Sequence, residues 1–437
     1  MAAANETSGV ADRHGRIGVL GAAALVAGSM IGSGVYLLPA TLAATGSISI
    51  LGWFAAGLAA LAIAGVFIWL AILAPEARGL GDYVRAGLGR FFGTQTVVLF
   101  WVSVWVGMVP LALAAAGAIG FVFPALQPPG ARLAVTIAVI WAGVLGAWGG
   151  PRLTARIEGL TLAAGLAPVL LIAALGGLFF RPEVFQASWN PHGAPLGEAL
   201  RSSALSCFWA FLGLESAAAA AAVVRDPARN VPRATLLGVL GTAALYIAAS
   251  VAVMGLLPAA QLAGSTAPFA DAARAALGAG LGALIAICAA VRATGCLASW
   301  SLIMAETTRT AADGGIFPRL FRTRPGEHAS TINLVTAGGL MTVTAFLTAA
   351  PNLAEQFSTL INVVSLLSLY TYLLAALSLL RVMRGQPIAR RAAAGLTAAL
   401  ACAAALVLIA SGKPSEIAWS LAPIGLAAVL YVVMPRR

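Results

Sequence analysis

Charged residues make up only 9% of this 437-residue chain, against about 25% in soluble domains. A water-exposed surface of the size such a length requires cannot be covered with so few, so a soluble globular protein is excluded. Lys413 is the only lysine among 26 basic residues. The three histidines, His14, His192 and His328, fall in the tail or in loops, and no HExxH occurs, which removes the basis for zinc chemistry. Cys207, Cys288, Cys296 and Cys402 all sit in apolar stretches without CxxC spacing and read as inert thiols rather than a disulfide or metal site. No GxxxxGK[ST] loop is present, which argues against direct ATP coupling. The segment through Arg16 is polar and of mixed charge, without the layout of a cleaved signal, so the first apolar run itself is expected to direct insertion.

What the chain has instead is apolar surface: 60% hydrophobic residues and a mean hydropathy of +0.94. A spanning helix needs about 20 mostly apolar residues. Twelve stretches qualify, at 18–45, 50–73, 93–123, 132–149, 158–180, 199–222, 233–257, 279–308, 331–350, 354–380, 393–411 and 415–434. No long hydrophilic domain interrupts them, and the expectation is an all-α polytopic membrane protein. With the N-terminus inside, 20 of the 26 basic residues fall on the cytoplasmic side and 5 outside, with Arg292 inside a span. That asymmetry predicts cytoplasmic N- and C-termini. It also explains the net charge of +11 as an orientation signal, not as a nucleic-acid surface. The arginine-rich, lysine-poor composition fits a GC-rich bacterial genome, hence a bacterial inner membrane.

Two spans carry breaks. The first contains Gly28, Gly32 and Gly34 within seven residues, each costing about 1 kcal/mol relative to alanine in a helix interior. Taken alone, this segment reads equally as a GxxxG-like packing face or as an unwound stretch whose free amides hold an anion. The sixth span favours unwinding, since it places Gly213 and Glu215 inside an apolar run, 181 residues after Gly32. Paired interruptions at matching positions point to a transporter's binding site. An odd number of spans between them requires the second half to be inverted. The expected organisation is a cytoplasmic tail (1–17), a first repeat of five spans (18–180), a second (199–380) and two further helices (393–434).

Four motifs carry a family resemblance: Gly28–Pro39 (GSMIGSGVYLLP), Phe208–Ala217 (FWAFLGLESA), Arg225–Pro232 (RDPARNVP) and Ala311–Pro318 (AADGGIFP). Together they resemble the amino acid–polyamine–organocation superfamily, with bacterial arginine/agmatine antiporters as the nearest subfamily. The resemblance implies a LeuT-type five-plus-five inverted repeat, sodium-independent exchange by alternating access, and a homodimer, with no cofactor. It also implies a site. The substrate carboxylate would lie on unwound backbone at Ser33 and Gly34, beside Met30 and Ile31. The α-amino group would face carbonyls around Met30, Trp209 and Leu212. Trp209 would cover the substrate, and Trp300 would stack on its cationic end, a contact of about 0.5–2 kcal/mol, with a lipid-interface role as the alternative.

Glu215 matches an acid linked to gating and proton sensing, and desolvation disfavours its ionised form; a salt bridge is the alternative. Tyr370 matches a distal-gate tyrosine. Departures fall around the side-chain end of the site: Met108 replaces an asparagine, Leu111 a methionine, and Asn362 a serine, while two gate tyrosines correspond to Gly81 and Thr94 and a third to Phe100. Trp101 and Trp105 read mainly as packing, and Glu306 as an interfacial partner of Arg309 and Asp313.

Arg292 lies too deep to snorkel, and a central charge costs at least about 2.5–3.5 kcal/mol. Carbonyls of a broken helix, Glu215, Glu306 or an anionic substrate could offset it, either as structural pairing or as a fixed cation in the place of sodium. The chain is thus expected to be a secondary transporter of amino acids or their decarboxylated amines, with small-molecule and lipid partners. Proton-coupled uptake or uniport is the variant reading, and a membrane-embedded enzyme the remote one.

Overall fold

A computed structural model of the chain describes residues 17–32, 34–77, 79–216, 224–322 and 330–433. Among these the regular structure is helical, and the sole β-bridge joins Ile17 to Val224 in parallel. In chain order the main helices are α1 (Val19–Met30), α2 (Leu38–Ala43), α3 (Ile50–Leu73), α4 (Leu80–Leu88), α5 (Arg90–Val122), α6 (Pro129–Trp148) and α7 (Gly150–Phe179). They continue as α8 (Leu196–Trp209), α9 (Pro227–Leu256), α10 (Pro268–Leu277), α11 (Ala279–Asp313), α12 (Thr331–Leu347), α13 (Leu353–Val382), α14 (Ile388–Ile409) and α15 (Pro414–Val433).

Hydrocarbon offers no partner for a backbone amide, so a chain this apolar satisfies its own amides helically. Among the described residues nine helices are long and apolar enough to cross a bilayer: α3 (extended from Ser47), α5, α6, α7, α9, α11, α13, α14 and α15. The interrupted α1–α2 pair, the interrupted α8 and the 17-residue α12 supply the remaining three of the twelve expected crossings. The chain is a multi-pass, all-α membrane protein.

The core lies on α5 and α13, whose most apolar windows are 72% and 78% buried; α15, at 17%, lies on the periphery. The closest neighbours are α5 with α11, α7 with α11, α1 with α9, and α3 with α8. Small residues make the α7–α11 approach close. A Cβ at Gly295 would run into Thr161, and one at Gly165 into the aliphatic stem of Arg292.

The two halves reuse one elbow. Helix α4 turns into α5 at Gly89 (φ +86°), and α10 turns into α11 at Gly278 (φ +93°), 189 residues later. At the same offset Asp82, Arg85 and Gly93 match Asp271, Arg274 and Gly282. The packing matches too. A Cβ on Gly93 would meet Arg85 Cβ and the Gly81 carbonyl at 2.8 and 3.0 Å; on Gly282 it would meet Arg274 Cβ and the Ala270 carbonyl at 3.0 and 2.8 Å.

Candidate substrate cavity between two broken helices

Helix α1 ends at Met30. Ile31 still donates its N–H to the Ala27 carbonyl (2.7 Å), but Gly32 turns back to Met30 O (2.8 Å), and a 3₁₀ turn at Gly34–Tyr36 restarts the chain towards α2. Helix α8 ends at Trp209 and passes through turns over 210–215 before Ser216. Gly213 is the pivot. Its φ of +101° is a left-handed conformation that L side chains rarely adopt, and a Cβ there would lie 3.0 Å from both the carbonyl oxygen and Oγ of Ser29. The two breaks therefore touch, and Ser29 Oγ closes the contact by donating to Gly213 O (3.0 Å) while lying 2.9 Å from Ser216 Oγ.

Around this junction lies a cavity of about 800 Å³, counting its open mouth. The breaks contribute Ser29, Met30, Gly32 and Val35 on one side and Trp209, Ala210, Leu212, Gly213 and Glu215 on the other. Helix α5 adds Phe100, Ser103, Val104, Gly107, Met108 and Leu111; α11 adds Cys296 and Trp300; α9 adds Tyr246; α13 adds Val364, Ser368, Thr371 and Tyr372. The wall is mostly apolar with a few convergent polar groups, as ligand sites are.

Among the described residues Glu215 is the only carboxylate on that wall, and no basic residue lines it. Its Oε2 accepts from the Tyr372 hydroxyl (2.9 Å), and the backbone N–H groups of Gly213 and Glu215 itself also face the carboxylate. The glycine turn thus aims amide donors at an acid instead of leaving it for an arginine. Tyr246 donates to Met30 O (2.7 Å), so that freed carbonyl already has a partner. Trp209 packs edge-on against Phe357, ring centroids 5.5 Å apart, which fixes its indole beside the second break.

Of the residues predicted from sequence, Met30, Met108, Leu111, Trp209, Leu212, Glu215 and Trp300 come together on this wall. Ser33 lies outside the described residues. Ile31 belongs to the first break but does not line the cavity, and Gly34 opens the 3₁₀ turn that follows the break. Asn362 also faces elsewhere: buried on α13, it accepts from Ser206 Oγ (3.0 Å) and donates to Glu416 Oε1 (2.9 Å). Tyr370 donates to Gln95 Oε1 (3.0 Å) away from the cavity, whereas Tyr372, two residues on, meets Glu215. Tyr372, Tyr246, Cys296, Ser103, Ser368 and Thr371 were not predicted.

Arg292, 1% exposed, takes the first of the partners expected for it, a carbonyl of the broken helix. Nε and Nη2 donate to Ile31 O (3.2 and 2.8 Å), and Nη1 to Glu158 Oε1 (2.8 Å), whose other oxygen accepts from Ser299 Oγ (2.9 Å). The acid is therefore Glu158 on α7, not Glu215 or Glu306. Glu306 instead pairs with Arg309 (2.6 Å), which also reaches Asp313 (3.4 Å). Trp101 donates to Thr308 Oγ1 (2.8 Å) and stays in packing. Among the described residues no cluster of His, Cys, Asp and Glu has metal-holding geometry.

A model of the amino acid permease family matches residues 17–433. The chain belongs to that family. This permease is 31% identical over 373 residues to the putrescine transporter PotE of Escherichia coli strain K12, covering 85% of each chain. It is 30% identical over 377 residues to the Haemophilus influenzae protein of that name, covering 86% of this chain and 87% of the relative. It is 31% identical over 371 residues to the cadaverine/lysine antiporter of Escherichia coli K12, covering 84% of this chain and 83% of the relative. The superfamily resemblance seen in the four motifs holds over nearly the whole chain.

Proposed function

We propose that this permease exchanges a linear aliphatic diamine for a cationic amino acid across a bacterial inner membrane, with both termini cytoplasmic. The observation that carries this reading is Glu215, among the described residues the sole carboxylate on a mostly apolar cavity wall that also offers aromatic rings and hydroxyls. An ammonium group beside Glu215 gains a charge-assisted bond in a water-poor site, which is worth more than the same pair in water. The rings of Trp209 and Trp300 supply faces for a cation. Met108 and Leu111 suit a methylene chain, and among the described residues no side-chain amide lines the cavity to help satisfy a guanidinium. The substrates named for the relatives, putrescine, cadaverine and lysine, have this chemistry. A substrate carboxylate, present on the amino acid and absent from the diamine, would face the first break.

In this reading Arg292 serves as a fixed cation that bridges α1 to α11, so transport runs without sodium. The protein moves substrate and does no chemistry on it, and it assembles as a homodimer. The deciding experiment uses purified protein in liposomes loaded with ornithine, lysine, putrescine or buffer alone, with external radiolabelled putrescine. Uptake should be rapid with an internal cation substrate and stall with buffer, in sodium or choline alike. Equal uptake into empty vesicles would point to uniport, and uptake driven only by a pH gradient to proton coupling.

A further inference from the structure

The outermost helix holds a buried acid. Helix α15 presents most of its surface away from the protein, with 17% of its apolar window buried, yet Glu416 in its first turn is only 2% exposed. Among the described residues no basic side chain pairs with it. Its Oε2 accepts from the Lys413 backbone N–H (3.0 Å), and its Oε1 from Asn362 Nδ2 (2.9 Å) on α13. Asn362 Oδ1 in turn accepts from Ser206 Oγ on α8 (3.0 Å). A carboxylate in such surroundings is costly unless its hydrogen bonds matter to the native arrangement. The bond to Lys413 N–H caps the start of α15 itself, whereas the bond to Asn362 reaches another helix, which capping alone does not require. The chain of bonds ends next to the substrate cavity. Ser206 lies one turn before Trp209, and Asn362 two residues before Val364, and both Trp209 and Val364 line the wall.

We propose that Glu416, acting through Asn362, is a positioning residue for the N-terminal half of the interrupted α8, and that α15 thereby sets the placement of Trp209 over the substrate. The part concerning substrate rests on the exchange function proposed above; the part concerning α8 does not. A helix that stops at Trp209 has lost the hydrogen bonds that would have continued it, so its last turn needs an anchor from outside. Ser206 supplies that anchor, and the acid orients it: with Glu416 fixing the Asn362 amide nitrogen, the amide oxygen must point at Ser206. Removing the carboxylate lets the amide turn over.

Two measurements test this on the full-length protein, the first with Cys288, Cys296 and Cys402 replaced by serine and the second with the native cysteines, because Cys296 lines the cavity. The first is the reactivity of Cys207, which is fully buried beside Ser206, towards a small maleimide. The second is KM and Vmax for putrescine exchange. Glu416→Ala should raise the Cys207 labelling rate about ten-fold or more and raise KM about ten-fold with Vmax changed less than two-fold, the size expected for losing a bond to a charged group. Glu416→Gln retains an oxygen for Asn362 and should stay within about two-fold of the parent on both readouts. Ser206→Ala cuts the last link without touching any charge and should move labelling in the same direction as Glu416→Ala. It keeps the test available if Glu416→Ala fails to fold. Labelling as slow as the parent in both Glu416→Ala and Ser206→Ala overturns the proposal. Faster labelling in a protein that exchanges no diamine would uphold the anchoring of α8 while removing the diamine reading.

Discussion

Among the described residues Glu215, bonded to the Tyr372 hydroxyl, is the one acidic side chain on the wall of the cavity, and the residue-scale predictions concern it and Trp300. Glu215→Gln removes the anion while keeping the size of the side chain. Truncating one partner of a desolvated charge pair costs about 2–5 kcal/mol, so the apparent affinity for putrescine should fall roughly 30-fold or more, read from counterflow at varied substrate. Trp300→Leu removes a cation–π contact of about 0.5–2 kcal/mol, a loss of roughly 3- to 30-fold. Trp300→Phe should recover part of it, and an effect of Leu no larger than that of Phe would return Trp300 to packing. Several of these residues could be read without coordinates, because an acid or a tryptophan deep in an apolar run is conspicuous. Tyr372 could not. Tyr370 and Tyr372 are both tyrosines on one helix, and two residues of α-helix rotate a side chain by about 200°. Choosing between them needs the rotation of α13 about its own axis, which hydropathy does not supply.

At the scale of elements, the two breaks depend on backbone geometry and on a borrowed cation. Gly213→Ala forces a side chain into a left-handed position and into Ser29, a strain of about 1–3 kcal/mol that should lower the thermal midpoint in detergent and abolish exchange. Gly159→Ala and Gly241→Ala are controls, since each lies within a helix with nothing within 4 Å of the added carbon; they should be neutral or slightly stabilising. Arg292→Ala strips a cation from the Ile31 carbonyl and from Glu158. That leaves a 28%-exposed carboxylate and a buried carbonyl without their cation, a cost of about 1–3 kcal/mol, and the variant should lose stability and either stop transporting or come to require an added cation. Intact, sodium-independent exchange in Arg292→Ala would remove the fixed-cation role. Lysine at 292 should rescue only partly, because one ammonium cannot reproduce the fork that reaches both acceptors. The breaks themselves were legible from Gly32 and Gly213, and the depth of Arg292 from its place in the span. Its partner was not: Glu158 lies on another helix, 134 residues away, and only the close α7–α11 packing brings the two together. Asn362 shows the same limit, since a polar residue on an inner helix can turn towards the cavity or away from it.

For the whole molecule, the distribution of basic residues makes an orientation prediction. A reporter active only in the cytoplasm, fused after Arg437, should be active, and the same reporter in the 181–201 connection should be silent. The opposite pattern would overturn the orientation read from the arginines. The count of crossings was available from hydropathy alone, although α1–α2 and α8 are interrupted and α12 is short. Apolar runs persist through a break even where the helix does not. The doubled elbow was equally present in the letters, 189 residues apart, but its short Asp-x-x-Arg pattern stands out only when Gly93 and Gly282 are seen to press against the same neighbours.

That elbow has a consequence for how the permease can be altered. Five crossings separate the copies, so Gly89 and Gly278 sit at opposite faces of the membrane. Both corners need a left-handed conformation that glycine adopts without strain, so alanine at either should lower the thermal midpoint in detergent, and by a similar amount.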